Sequence, residues 1–304
     1  MEKALVTGGA GFIGSYLVDK LVQMKIPVMV IDNMSSGQEV NFAHHLGNPN
    51  QYNIAFKDIQ DPGIESIFSN FQPDTIFHLA ARPGVAYSVK NPTISDLSNI
   101  NGTVHLLELA RKYNVRRFIF SSSSSVYGGS EVLPTLETTP LNPKSPYALQ
   151  KKVGEEYCQL FSKQYGLETV ALRYFNIFGK RQLGTSPYAA VIAAFLHAKQ
   201  NNLRPTIHGD GEQFRDFTPV ENVVFANIQA ALNSQKCNGQ VFNIGCGKRT
   251  TVNQIYQMIG GLPPVYTEAR PGDVKCSQAS IEKAKEYFGY HLVKDFEEAV
   301  QSLL

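Results

Sequence analysis

A chain of 304 residues, 43% hydrophobic and 18% charged, holds enough apolar material for one large domain or two intimate ones, and it lacks the charge excess of a disordered segment. Its formal net charge of +2 gives no reason to invoke nucleic acid or an anionic membrane, so positive charge used on an anionic substrate has to be local. Cys158, Cys237, Cys246 and Cys276 show neither C-x-x-C pairing nor metal-ligand spacing, no leader-like segment opens the chain, and no apolar run approaches the ~18 residues of a membrane span; a cytoplasmic protein with reduced thiols is expected.

Ala4, Leu5 and Val6 form an apolar run that stops at Gly8, and Gly11 and Gly14 lead into the amphipathic stretch Phe12 to Lys25. This reads as a buried strand, a tight turn and a helix start. Gly8 lets the chain turn, Gly11 lets backbone approach a pyrophosphate, and Gly14 lets helix pack on strand, while the helix N-terminus offers free N–H groups to phosphate. A second apolar strand, Val28 to Ile31, ends at Asp32, whose carboxylate can accept both ribose hydroxyls of an adenosine and repels a 2′-phosphate. No Arg lies between Asn33 and Gly37, so the pattern points to NAD rather than NADP.

Further along, a polar loop runs from Asn33 to Asn50 with a weak helical piece at Glu39 to His45. Strands are expected at Tyr52–Phe56, Thr75–Leu79, Arg117–Ser121 and Thr169–Tyr174, and helices at Asp61–Phe71, Thr93–Tyr113 and Tyr147–Gln164, with loops at Ala80–Pro92 and Gly128–Pro146. Alternation of this kind implies βαβ units and a parallel sheet, an α/β doubly wound (Rossmann) fold. After Asn176 the composition changes, and helices at Tyr188–Gln200, Val220–Leu232, Val252–Ile259 and twice after Ser280 alternate with short strands. Thr218, Pro219 and Glu221 read as a capping box. The expected division is a domain over 1–175 and a smaller C-terminal α/β substrate domain over 176–304, with a strand near 241–244 returning to the first.

Tyr147 and Lys151 stand four apart at a helix start and therefore share a face. A phenol of pKa ~10 is a poor base at neutral pH, but a neighbouring ammonium and a positively charged nicotinamide both favour the phenolate. By itself the spacing carries almost nothing, because a solvated Tyr beside a snorkelling Lys is its commoner meaning. The serine run Ser121 to Ser125 follows a strand end, where one hydroxyl can reach the substrate oxygen that Tyr147 deprotonates and the rest satisfy a polar loop. His44, His45 and His78 have no carboxylate or Cys partner at ligand spacing, so structural roles and no metal are expected.

These residues, with others in order along nearly the whole chain, resemble the extended short-chain dehydrogenase/reductase superfamily and, within it, the nucleotide-sugar 4-epimerases. The matching segments are TGGAGFIG at 7–14, DNMSSG at 32–37, HLAA at 78–81, NINGT at 99–103, SSSSSVYG at 121–128, SPYALQK at 145–151, LRYFNIFG at 172–179, RDF at 215–217 and RPGD at 270–273. The resemblance implies Ser123 as the catalytic serine beside Tyr147 as base and Lys151 as its tuner. It implies an NAD site formed by Gly8, Gly11, Phe12, Ile13, Gly14, Asp32, Asn33, Ser35, Ser36 and Gly37. That site continues through Asp58, Ile59, Leu79, Ala80, Ala81, Arg82, Asn99, Ser121, Tyr147, Lys151 and Tyr174. For the UDP-sugar it implies Ser123, Tyr147, Asn176, Ala189, Ala190, Val191, Arg215, Arg270, Asp273 and Ser277; guanidinium forks match phosphate oxygens. It also implies a homodimer through the helices Thr93–Tyr113 and Tyr147–Gln164.

Within the superfamily, dehydratases follow the catalytic hydroxyl with Asp-Glu and decarboxylases carry a Glu before V-Y-G, whereas this chain has Ser124 and Ser125. Epimerisation of UDP-Glc/UDP-Gal or UDP-GlcNAc/UDP-GalNAc is therefore expected, the small Ser277 standing where a bulky Tyr often walls the sugar pocket. Arg82-Pro83-Gly84-Val85 and Tyr87-Ser88 look like the uronic acid epimerases and make UDP-glucuronate the runner-up. The alternative of another class, an NAD-binding regulatory protein without catalysis, would be expected to lack the Tyr or the Lys.

Overall fold

The structure is a computed structural model that describes residues 1–182, 191–269 and 276–304. Strand β1 (Ala4–Thr7) is buried along its whole length, as a strand covered on both faces must be. Gly8 turns at φ +73 into α1 (Phe12–Gln23), followed by β2 (Val28–Asp32), β3 (Tyr52–Phe56), α2 (Glu65–Phe71) and β4 (Thr75–His78). The expected helical piece at 39–45 is a pair of 3-10 turns.

The stretch read as a loop at 80–92 contains a short helix, α3 (Val85–Lys90). Six residues are too few for a helical period to show, and its fit depends on a distant partner, because Ser88 Oγ accepts from the Tyr147 N–H at 3.0 Å. The helix expected at 93–113 is present as one rod in three parts: α4 (Pro92–Asp96), a π turn over Leu97–Asn101, and α5 (Gly102–Lys112). Then come β5 (Arg117–Ser123), α6 (Pro146–Tyr165) and β6 (Thr169–Tyr174). Ser145 caps α6 by accepting from Ala148 N, and Gly166 ends it in the left-handed region.

The second part runs β7 (Ile177–Phe178), α7 (Val191–Gln200), β8 (Thr206–His208), β9 (Phe214–Arg215), β10 (Thr218–Pro219), α8 (Val220–Leu232) and β11 (Val241–Ile244). It continues with β12 (Thr250–Thr251), α9 (Val252–Ile259), β13 (Val265–Thr267), α10 (Glu282–Phe288) and α11 (Phe296–Gln301). The capping box read at Thr218 and Glu221 is absent. Thr218 is held as strand by pairing with Ile177, Pro219 occupies the N-cap position, and Thr218 Oγ1 is buried without a partner. The reciprocal pair occurs instead at Thr251 and Gln254.

Seven strands form one sheet in the order β11-β6-β5-β4-β1-β2-β3, every pair parallel. β11 rejoins the sheet beside β6, with Phe242 opposite Leu172. One face packs Leu17, Val18, Val223 and Ala226 from α1 and α8; the other packs Phe68, Leu106, Leu107 and Phe161 from α2, α5 and α6. A separate core of Phe178, Phe195, Ile207, Ile255 and Phe296 holds the smaller C-terminal α/β part. The expected doubly wound architecture is borne out. Its strand order reverses at β1 and β4, so a crevice opens at their carboxyl ends. Among the described residues no helix is long and apolar enough to cross a membrane.

Candidate active site

A cavity of about 690 Å³ lies along the carboxyl ends of the strands, from the β1 turn to β9. Its first wall is the glycine turn: Gly8, Gly11, Phe12, Ile13 and Gly14 all line it. Gly8 and Gly14 leave no room for a side chain. A Cβ on Gly8 would lie 2.8 Å from Ala80 N, and one on Gly14 would lie 2.1 Å from Gly8 O. Gly11 is the N-cap of α1 and no side chain caps that end, so the first N–H groups of a twelve-residue helix face the cavity.

At the end of β2, Asp32 takes one backbone N–H on each oxygen, from Ala10 (2.9 Å) and Met34 (2.8 Å), and burial pushes its carboxyl above the usual range. One lone pair per oxygen remains on a carboxylate that lines the cavity. Asn33, Ser35, Ser36, Asp58 and Ile59 line the same end, and Asn33 Nδ2 donates to Asp58 Oδ2 at 2.7 Å. A glycine cradle that any Cβ would fill, an uncapped helix end and a carboxylate at the next strand fit a dinucleotide with a free ribose diol.

Leu79, Ala80, Ala81 and Arg82 form the middle wall. Beyond them Ser121, Ser123, Tyr147, Lys151 and Tyr174 converge from β5, α6 and β6. Tyr147 is hydrogen-bonded to Ser123, which also accepts from Ser125 N at 3.2 Å. Lys151 donates to Ser121 O at 2.8 Å, its ammonium 4.9 Å from the centre of the Phe120 ring and 5.8 Å from that of Tyr147. Burial lowers Lys151 to about 8, which leaves it charged at neutral pH, and raises Tyr147 to about 12 against the opposing pull of Ser123. In the ligand-free protein desolvation of the ring sets the direction, whereas the pull toward the phenolate expected from the sequence draws on a bound nicotinamide as well as the ammonium. Tyr174 shares a hydrogen bond with Ser121 Oγ (3.0 Å) and is likewise raised to about 12 by burial.

Asn176, Arg215 and Ser277 line the far end. Asn176 Nδ2 donates to Asp216 O (3.2 Å) and Ser277 Oγ (3.1 Å). Asp216 itself is buried and accepts from Cys246 N, Gly247 N and Ala279 N at 2.8–2.9 Å, binding two segments to the strand that carries Arg215.

Three expected residues do not reach the cavity wall, and four fall outside the described residues. Gly37 backs Asp32, a Cβ there lying 3.0 Å from Oδ1. Asn99 is 2% exposed and spends its amide on Arg82 and Gln150. Val191 opens α7 and packs against the C-terminal core. Ala189, Ala190, Arg270 and Asp273 are the four outside. Lining residues not anticipated include Lys57, Pro83, Gly84, Ser98 and Gln182. The first four follow or face carboxyl ends of strands, a placement rule that would have found them; for Gln182 the sequence carries no signal.

His78 is buried and neutral, pushed down to about 3 by burial, with Nδ1 2.8 Å from Thr7 Oγ1 and Nε2 2.9 Å from Thr103 Oγ1. His44 and His45, read as lacking a carboxylate partner, are given one by the fold. Their Nε2 atoms lie 2.9 and 2.7 Å from Asp19 Oδ1, while Arg181 donates to Oδ2 at 2.6 Å. The guanidinium on the same carboxylate already balances its charge and opposes a dication, so the cluster is an ionic tie between α1 and two loops.

The NAD dependent epimerase/dehydratase family matches residues 4–245. Among solved structures, UDP-glucose 4-epimerase from Thermotoga maritima, solved with UDP-glucose, is 40% identical, superposes with a TM-score of 0.91, and the match covers 98% of this chain and 96% of that one. UDP-N-acetylglucosamine 4-epimerase from Methanobrevibacter ruminantium, in complex with UDP-N-acetylmuramic acid, is 40% identical with a TM-score of 0.92 over 99% and 96% of the two chains. UDP-glucose 4-epimerase from Thermus thermophilus, complexed with NAD, is 32% identical with a TM-score of 0.87 over 98% and 96%.

Proposed function

Because the chain belongs to the NAD dependent epimerase/dehydratase family, we propose that it inverts C4 of a UDP-sugar through a 4-keto sugar, with NAD held against the glycine turn, Asp32 and the Leu79–Arg82 wall. The observation that carries this reading is the meeting of Tyr147, Ser123 and Lys151 at one wall of a cavity that also has a dinucleotide cradle. When bound, oxidised NAD supplies the hydride acceptor for C4 and a positive ring charge.

Tyr147 Oη takes the proton of the sugar 4-hydroxyl and later returns it, Ser123 Oγ holding that oxygen in place. Lys151 keeps a cation inside a dry pocket, where it favours the tyrosinate more than it would in water. Arg215, with Arg270, Asp273, Ala189, Ala190 and Asn176, anchors the nucleoside diphosphate, so that the hexose can rotate without escaping and expose its other face. Ser124 and Ser125 line the cavity with hydroxyls, so those two positions offer no carboxyl group to eliminate water or promote decarboxylation.

Ser277 presents a small side chain to the sugar end, and the likeness to a UDP-N-acetylglucosamine 4-epimerase at 40% identity supports acceptance of N-acetylhexosamines beside hexoses. The chain also works as a cytoplasmic homodimer in this reading. Its four cysteines are free, and Ile94, Leu97 and Leu149 are exposed along the helices expected to pair. The deciding experiment is a side-by-side assay of the purified protein against UDP-Glc, UDP-GlcNAc and UDP-glucuronate. Turnover of either of the first two supports the proposal, turnover of only the third replaces its substrate, and no turnover refutes it.

A further inference from the structure

Gln150 lies between Tyr147 and Lys151 on α6, is 1% exposed, and has its amide fully used. Oε1 accepts from Asn99 Nδ2 (2.7 Å), while Nε2 donates to Ser95 Oγ (2.9 Å) and Asp96 Oδ1 (2.6 Å). Asn99 passes the connection on: its Oδ1 accepts from Arg82 N (2.7 Å), and its Nδ2 also donates to Arg82 O (3.2 Å). Arg82 is part of the cavity wall. The π turn presents two neighbouring residues to two different surfaces, Ser98 to the cavity and Asn99 to Gln150. A second tie ends on the same wall, since Thr103 Oγ1 donates to Asn99 O, His78 bridges Thr103 and Thr7, and Thr7 Oγ1 accepts from Ala80 N.

We propose that Gln150 is a positioning residue that locks the helix bearing Tyr147 and Lys151 to the Ala80–Arg82 wall, so that a dinucleotide seated on that wall is also set at the correct depth against the tyrosine. The proposal rests on the reading of Tyr147 and Lys151 given above. The chemistry of the contact demands an amide. Asn99 Nδ2 needs an acceptor, and Asp96 Oδ1 and Ser95 Oγ, whose own proton goes to Pro92 O, need donors. A Glu would set carboxylate oxygen against Asp96, and a Leu would take one hydrogen bond from each of the three partners, of which Asn99 and Ser95 are buried.

The test compares the full-length wild type with Gln150→Leu and Gln150→Glu. Measured are NADH affinity by fluorescence titration, kcat and KM for the UDP-sugar at saturating NAD, and thermal midpoint. The expected result is a fall in kcat of about tenfold or more with KM for the sugar changed by no more than about twofold, and NADH binding weakened several-fold. Should Gln150→Leu not fold, Gln150→Asn, one methylene shorter, severs the same contacts with an amide retained and is read in the same way. Unchanged kcat per folded molecule and unchanged NADH affinity, however far the midpoint moves, overturn the proposal and leave Gln150 a packing residue. If the wild type turns over no UDP-sugar, the functional reading fails separately, and the NADH titration alone decides whether Gln150 holds the wall.

Discussion

Lys151 Nζ donates to the carbonyl oxygen of Ser121 at 2.8 Å, which ties α6 to β5 at the first residue of the serine run. The bond does two things. It joins the element that carries Ser123 to the one that carries Tyr147, and it holds in place the ammonium of a residue that is only 4% exposed. The lysine is thus tied to the strand, while the tyrosine's own hydrogen bond goes to Ser123.

Replacing Tyr147 by Phe removes the proton acceptor and little volume. In the side-by-side sugar assay, kcat is expected to fall by about 10²–10⁴-fold, while NADH titration shows affinity near that of the wild type. Full turnover in Tyr147→Phe would show that another group carries the proton.

Burial raises Tyr147 to about 12 in the free protein, so the phenol holds its proton throughout the neutral range. Positive charge added to the cavity has to bring it down. Ultraviolet difference titration should therefore show Tyr147 ionising at lower pH with NAD⁺ bound than without, with the difference lost in Tyr147→Phe. Equal titrations with and without NAD⁺ would contradict the assigned base.

Much of this architecture is legible in local pattern. Thr169–Tyr174, Val220–Leu232 and Val252–Ile259 are observed with the bounds expected, because an apolar run or a helical period and its stop signals lie within one short window. The convergence of Tyr147, Ser123 and Lys151 on one cavity and the glycine cradle are legible for a different reason, the order of several short segments along the chain. What escaped depends on partners far away in sequence. Helix α3 is held by Tyr147, Asn99 is turned inward by a π turn and Gln150, and Asp19 meets His44 and His45 only once α1 and the following loop have packed. The strength of the desolvation of Tyr147 is likewise not legible, since burial is a property of the assembled pocket rather than of a four-residue spacing.

Asp216 is fully buried, and burial raises its carboxyl to about 6 despite three backbone N–H donors. Its folded value lies above its unfolded one, so the folded state binds the proton more tightly between pH 4 and 6. Its contribution to stability is complete below about pH 4 and is lost as pH climbs through about 6, an amount on the order of 3 kcal/mol. Denaturant melts of wild type and Asp216→Asn across this range should diverge by that much in this direction, the wild type losing ground as pH rises. A flat difference between the two would place the carboxyl at an ordinary value.

Arg173 and Glu155 form a buried two-point ion pair behind the site, Nε to Oε1 at 2.8 Å and Nη2 to Oε2 at 2.6 Å, and Ser122 donates its hydroxyl to the same Oε1. The guanidinium also reaches the Tyr127 hydroxyl (2.8 Å), which donates to Asn243 on β11 (2.7 Å), so the pair stitches α6, β6, β11 and the serine strand together. Removing one partner leaves a charge with no compensation in a dry interior. Glu155→Leu should cost about 3–5 kcal/mol in urea denaturation, whereas Glu155→Leu combined with Arg173→Met should cost less than the single change, because no unpaired charge remains. The strength of that non-additivity separates a pair kept for its geometry from one kept for its energy. If the double variant is as stable as the wild type but its kcat falls, the ion pair serves to hold Ser122 and its neighbours in register with Tyr147; if the double variant is the less stable of the two, the pair stabilises the fold outright.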